Sequence, residues 1–170
     1  MVRYLLLLIL ILLSDCQVTG QPRHVSGMNM LGISAGLGNN ALLIGGIYQK
    51  YYSGYFSGRL SLSLDQVNYK LSSYHAYYLS PAVQYSLLTN KRNLYLNAQG
   101  GLIGGIEHIS SAIFNQRINN LYLGESIGAA FEYFISSFLK IELEFEQRFF
   151  QASKISNYRY FFLLGTYVKI

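Results

Sequence analysis

The stretch Leu139-Lys140-Ile141-Glu142-Leu143-Glu144-Phe145-Glu146-Gln147-Arg148-Phe149 interleaves two kinds of residue, one by one. Successive side chains of a β-strand point to opposite faces. In an extended chain Leu139, Ile141, Leu143, Phe145 and Phe149 therefore share one face, and Lys140, Glu142, Glu144, Glu146 and Arg148 share the other. The first face suits hydrocarbon. The second must meet water or its own counter-charges, because an isolated buried charge is too costly.

The same period of two recurs outward from this segment. Tyr158, Tyr160, Phe162, Leu164, Val168 and Ile170 oppose Arg159, Gly165 and Lys169. Leu123, Ile127, Ala129, Phe131, Tyr133 and Ile135 oppose Gly124, Ser126, Gly128 and Glu132. Leu94, Leu96, Ala98 and Leu102 oppose Asn93, Asn97 and Gln99; Leu79, Pro81, Val83, Tyr85 and Leu87 oppose Ser80, Gln84 and Ser86. Leu60, Leu62 and Leu64 oppose Arg59, Ser61, Ser63 and Asp65, after which the apolar phase passes to Val67 and Tyr69. That flip predicts a β-bulge near Asp65-Gln66. Two glycine-rich strands precede these, over Met28 to Leu37 and Leu42 to Lys50. The total is eight strands.

Composition says what solvates them. Of 170 residues, 51% are hydrophobic and only 12% charged, with 16 Tyr and 10 Phe. A soluble domain carries about 25% charged residues. The net charge of +5 is scattered, with no basic run longer than Lys91-Arg92, so no direct nucleic-acid contact is expected. A soluble barrel binding an apolar ligand would also alternate, but its outward face should be rich in Lys and Glu. Lipid outside and charge inside is the better fit. Closure is then required, because backbone groups in hydrocarbon need internal partners.

The first twenty residues read as an address. Arg3 precedes nine apolar residues, Leu5 to Leu13, and Val18-Thr19-Gly20 offers a cleavage site before Gln21. This is the order of a secretory signal, and the apolar core is far short of the roughly 20 residues of a spanning helix. Residues 1–20 are expected as signal peptide and 21–170 as the barrel. Cys16, the single cysteine, follows Leu12-Leu13-Ser14-Asp15 and offers an acyl anchor as an alternative. Cleavage after Gly20 would leave no cysteine for a disulfide, a metal or a nucleophile.

Loop lengths set the topology. Short connections are expected at Ser53-Gly54, Thr89 to Arg92 and Ser136-Ser137, a longer polar one at about His108 to Asn120, and a middling one at Gln151 to Asn157. Outer-membrane barrels alternate short periplasmic turns with longer outer loops. With both termini periplasmic, the short connections fall on the periplasmic side, and only the brief first connection, Gly38 to Asn40, departs from the rule. Aromatic girdles are expected from Tyr48, Tyr51, Tyr52, Tyr55 and Phe56, from Phe134 and Phe138, and from Tyr69, Tyr74, Tyr77 and Tyr78.

An eight-stranded barrel has an interior that side chains just fill, so no wide channel is expected. Lys140, Arg148 and Arg159 are expected to neutralise Glu132, Glu142, Glu144 and Glu146 there as a structural lumen cluster. The sharper reading of the glutamate row, a cation site or catalytic carboxylate pair, is the weaker one. His24, His75 and His108 lack metal-ligand spacing. His75, near Ser72 and Ser73, is the nearest candidate for a general base. Gly100-Gly101 and Gly104-Gly105 lack the Lys-Ser/Thr and helix of a phosphate loop and read as sites of bending or close approach. No catalytic, cofactor or metal residues and no small-molecule substrate are expected. Gly165-Thr166-Tyr167-Val168-Lys169-Ile170 resembles the terminal assembly signal of outer-membrane barrels.

Over about Gly27 to Ile170 the chain resembles the TraO family of conjugal transfer proteins from Bacteroidetes conjugative transposons. The residues carrying this are Asn93-Leu94-Tyr95-Leu96-Asn97-Ala98-Gln99-Gly100-Gly101-Leu102, Gly104-Gly105-Ile106-Glu107, Leu123-Gly124-Glu125-Ser126-Ile127-Gly128 and the terminal aromatic-Gly strand. The resemblance implies a structural outer-membrane component of a mating apparatus, with outer-membrane lipid and other conjugation proteins as partners. A stand-alone small barrel (adhesin, assembly partner or lipid-modifying enzyme) is the alternative, and the soluble ligand-binding barrel a further one.

Overall fold

The computed structural model describes residues 24–39, 41–69, 72–90, 93–111, 116–151, 153 and 156–170. The leader expected at 1–20, with Cys16, lies outside them. Eight strands follow one another: β1 (Asn29–Gly38), β2 (Ala41–Tyr51), β3 (Phe56–Tyr69), β4 (Ser72–Thr89), β5 (Leu94–Ser111), β6 (Gln116–Phe134), β7 (Leu139–Gln151) and β8 (Tyr158–Lys169). Each pairs antiparallel with its sequence neighbours, and β1 pairs with β8 to close the barrel. The chain is a closed, up-and-down, transmembrane β-barrel.

The turns nearest the termini are held by single side-chain oxygens, the usual device of Ser and Asn at turns. Ser53 Oγ accepts from the amides of Tyr55 and Phe56 at 3.3 and 3.1 Å. Ser136 Oγ accepts from Phe138 and Leu139 at 3.3 and 3.1 Å. Asn90 Oδ1 accepts from Asn93 and Leu94, both at 3.0 Å. At the other end the first connection is as short as expected, since Gly38 pairs with Ala41.

The exterior is a continuous apolar belt. Ile33 and Leu121 are each 72% exposed, and Leu62, Leu79, Leu143 and Phe162 are exposed alongside them. Glu125 also faces outward, between exposed Leu123 and Ile127. Exposing this much aliphatic surface to water would be an aggregation liability; in hydrocarbon it is simply solvated. Among the described residues no helix is long and apolar enough to cross a membrane.

Three expectations are corrected. No bulge occurs at Asp65-Gln66: β3 pairs with β4 without a break from Phe56↔Tyr85 to Tyr69↔Ser72. Val67 lies inside with Asp65, because the outer half of the lumen is itself apolar and aromatic. The irregularity sits instead between Ser86 and Leu88 of β4. Second, much of the expected His108–Asn120 loop is strand: His108 pairs with Asn119 and Ser111 with Gln116, leaving only 112–115, which lie outside the described residues. Third, several girdle aromatics turn inward. Tyr51, Tyr74, Tyr78 and Phe134 are at most 2% exposed, whereas Tyr48, Tyr52, Tyr55, Phe56, Tyr77 and Phe138 face out. A small barrel needs large side chains to fill its two mouths, and the strict alternation puts every second aromatic there.

Candidate functional site

Among the described residues, the buried charged groups of the strands line the lumen, each placed by strand alternation. Among the sequence-derived residues, Glu132 on β6, Lys140, Glu142, Glu144, Glu146 and Arg148 on β7, and Arg159 on β8 all point inward and are at most 6% exposed. The structure adds Arg59 and Asp65 on β3, Glu107 on β5, and His24 from the segment ahead of β1, all buried.

The terminus half holds one connected network. Lys140 Nζ donates to Glu132 Oε1 and Glu142 Oε2, both at 2.9 Å, to Gln49 Oε1 at 2.6 Å and to Tyr51 OH at 3.1 Å. It also sits 3.9 Å over the Tyr167 ring. Arg59 bridges Glu142 Oε1 at 2.8 Å and Glu144 Oε2 at 2.7 Å across the barrel. Tyr167 OH donates to Glu142 at 2.8 Å, and Gln99 Nε2 donates to Glu144. Excellent geometry of this kind is what lets buried charges offset their desolvation.

The outer half is organised differently. Arg148 pairs along its own strand with Glu146 at 2.7 Å, between the Tyr78 and Phe161 rings at 5.1 and 5.0 Å. Arg159 pairs with Asp65, not with the glutamate row, and lies over the Tyr74 and Phe150 rings. Tyr78 OH donates to the same Asp65 at 2.7 Å. Glu107 accepts from Asn120 Nδ2 at 2.8 Å and Ser153 Oγ at 3.1 Å.

Sequence reasoning missed these partners because they lie across the lumen, 83 to 94 residues apart in the cases of Arg59 with Glu142 and Arg159 with Asp65. The only available signal was that Arg59 and Asp65 share the polar face of their strand. His24 carries no periodic signal at all.

Between the two halves, Ser34, Ser61, Ser63, Ser80, Glu144, Glu146 and Arg148 enclose about 10 Å³. That is about the room of a single water. The other two histidines are apart from this system: His108 faces outward and bonds Asn119 at 2.7 Å. His75 is half-buried on β4, level with Gln66 and His108 in the sheet register. Among the described residues no group of three His, Cys, Asp or Glu side chains could hold a metal ion. Inward Gly101 and Gly105 are sites of close approach. A Cβ on Gly101 would lie 2.5 Å from the Pro81 carbonyl oxygen, and one on Gly105 equally close to that of Tyr77.

No known protein family matches the chain, and no curated protein does either. Solved structures do. The N-terminal barrel of Pseudomonas aeruginosa OprF aligns with a TM-score of 0.67 at 14% identity, covering 85% of this chain and 98% of that one. Neisserial surface protein A aligns at 0.62 and 13% identity, covering 85% and 98%. Ail, the attachment invasion locus protein of Yersinia pestis, aligns at 0.58 and 14% identity, covering 86% and 100%. At these identities the likeness is one of architecture: the chain shares the closed eight-stranded barrel fold of these outer-membrane proteins.

Proposed function

We propose that the protein is a small, non-catalytic outer-membrane barrel that serves as an anchored contact element, not as a conduit. The observation that carries this is the filled lumen: among the described residues, ion pairs and inward aromatics occupy it, and the space lined by Arg59, Glu144, Glu146 and Arg148 has room for about 10 Å³. The strand lengths support a contact role. β4, β5 and β6 have 18, 18 and 19 residues against 10 and 11 for β1 and β2. The wall is therefore raised on one side at the end away from the termini. Outward polar groups such as His108 and Asn119 stand there. One of the similar barrels is named for attachment, a role that needs an exposed surface and no pore.

A second reading makes the partners components of a conjugative mating apparatus. It is favoured by the Asn93–Glu107 and Leu123–Gly128 segments that resemble the TraO family. In both readings the bilayer is the outer membrane and export uses the leader at 1–20. Membrane fractionation and planar-bilayer recording test the first reading. The full chain should sediment with the outer membrane, require detergent for extraction, and give no stable porin-like conductance. A monomer in the periplasmic fluid, or an open pore, would overturn it. Cross-linking in intact cells followed by identification of the captured proteins separates transfer components from other partners.

A further inference from the structure

Ahead of β1 the chain folds back into the barrel mouth. His24 is 5% exposed, although Val25, Ser26 and Gly27 beside it are exposed. Gly27, at φ 82, makes the turn, a conformation that glycine adopts without a Cβ penalty. Its amide donates to the Tyr51 carbonyl at 2.8 Å. The imidazole lies flat on Tyr95, with centroids 3.5 Å apart and planes at 8°. Tyr51 tilts over it at 4.4 Å and Phe134 meets it edge-on at 5.7 Å.

Both ring nitrogens face acceptors. Nε2 is 2.6 Å from Glu132 Oε2. Nδ1 is 3.2 Å from the Gly54 carbonyl oxygen and 3.4 Å from Ser86 Oγ. The Ser86 hydroxyl spends its proton on Asn97 Oδ1 at 2.7 Å, so toward His24 it can only accept. A neutral imidazole has one N–H and would turn a lone pair on one of these acceptors, whereas the imidazolium donates from both nitrogens.

Charge counting agrees. Among the described residues, the network against which the ring packs contains three carboxylates, Glu132, Glu142 and Glu144, and two cations, Lys140 and Arg59. A buried excess of one negative charge is costly, and a proton on His24 cancels it. Among the described residues, the other side chains that bond this network or stack on the ring are uncharged: Gln49 and Tyr51 on β2, Ser86 on β4, Tyr95 and Gln99 on β5, Phe134 on β6, and Tyr167 on β8. Stacking on a phenol ring adds a cation–π contribution.

We propose that His24 seats as an imidazolium and that its protonation latches the segment ahead of β1 over the terminus-side mouth of the lumen. Both ring N–H groups are needed to satisfy Glu132 and the Gly54 carbonyl, so the docked segment is favoured at acid pH and released at alkaline pH.

Two measurements on the full chain in phospholipid vesicles test this. Nitrogen NMR with ¹⁵N-labelled histidine, assigned by loss of one signal pair in His24→Gln, should show both His24 ring nitrogens as N–H at about pH 6. A spin label at Val25→Cys, on a Cys16→Ser background, should be immobile at about pH 6 and at least tenfold more mobile at about pH 9. That pH response should vanish in His24→Gln. A neutral-tautomer signal with the label immobile would place the balancing proton on a carboxylate and overturn the proposal. So would a label whose mobility is independent of pH, or whose response survives His24→Gln.

Discussion

Replacing Lys140 by Met removes one cation and keeps most of the side-chain volume. The structure lets the consequence be worked out. Lys140 Nζ has four oxygen partners within 3.1 Å: Gln49, Tyr51, Glu132 and Glu142. Lys140 is fully buried, and Glu132 and Glu142 are at most 1% exposed. In Lys140→Met, Glu142 keeps Arg59 and Tyr167 as partners, but among the described residues Glu132 then keeps His24 as its one basic partner. Removing one side of a buried pair costs about 3–5 kcal/mol because the other charge stays buried. With a urea slope of about 2 kcal/mol per molar, the unfolding midpoint should fall by roughly 1.5–2.5 M. The assay is urea unfolding of the barrel reconstituted in lipid vesicles, followed by circular dichroism. Lys169→Met, at an exposed strand end, is the control and should move stability by no more than about 0.5 kcal/mol. Adding Glu132→Gln to Lys140→Met should recover a large part of the loss, since the stranded charge is then gone. If Lys140→Met shifts the midpoint no further than Lys169→Met, the lumen network does not stabilise the barrel through Lys140.

Three other outcomes follow from the same geometry. Gly101→Val should destabilise strongly, because its Cβ would meet the Pro81 backbone oxygen at 2.5 Å and the Ala82 Cβ at 2.7 Å; Gly46→Ala, with nothing within 4 Å, should be neutral in the same unfolding assay. Leu62→Arg, on the lipid-facing belt at 63% exposure, should cost about 2–4 kcal/mol in vesicles, the penalty for a cation near the bilayer midplane; an unchanged midpoint would mean that this face does not meet hydrocarbon. Proteoliposomes of the wild-type chain should retain sugars that porins release, and rapid efflux would show that the side chains around Arg59 and Arg148 do not seal the lumen.

Much of the architecture can be read along the chain. The period-two pattern of Leu139 to Phe149 assigns each residue to one of two faces without reference to any other strand, because alternation is a property of the extended backbone itself. Scarcity of charge then tells which face meets lipid. Strand number, antiparallel order and the inward direction of Glu132, Lys140, Glu142, Glu144, Glu146, Arg148 and Arg159 all follow from that local rule. Only the closed barrel decides who meets whom inside. Arg59 reaches Glu142 and Glu144 from the opposite wall, and Arg159 finds Asp65 instead of the glutamate row, because strand stagger sets which inward side chains share a level. Periodicity is equally blind to whether an apolar residue goes in or out when the lumen has apolar ends. Val67, Tyr74 and Tyr78 therefore turn inward to fill the outer mouth, and the expected bulge is absent. His24 belongs wholly to the tertiary structure: nothing in its sequence neighbourhood marks it, and its place is defined by a cavity that exists only once eight strands have closed.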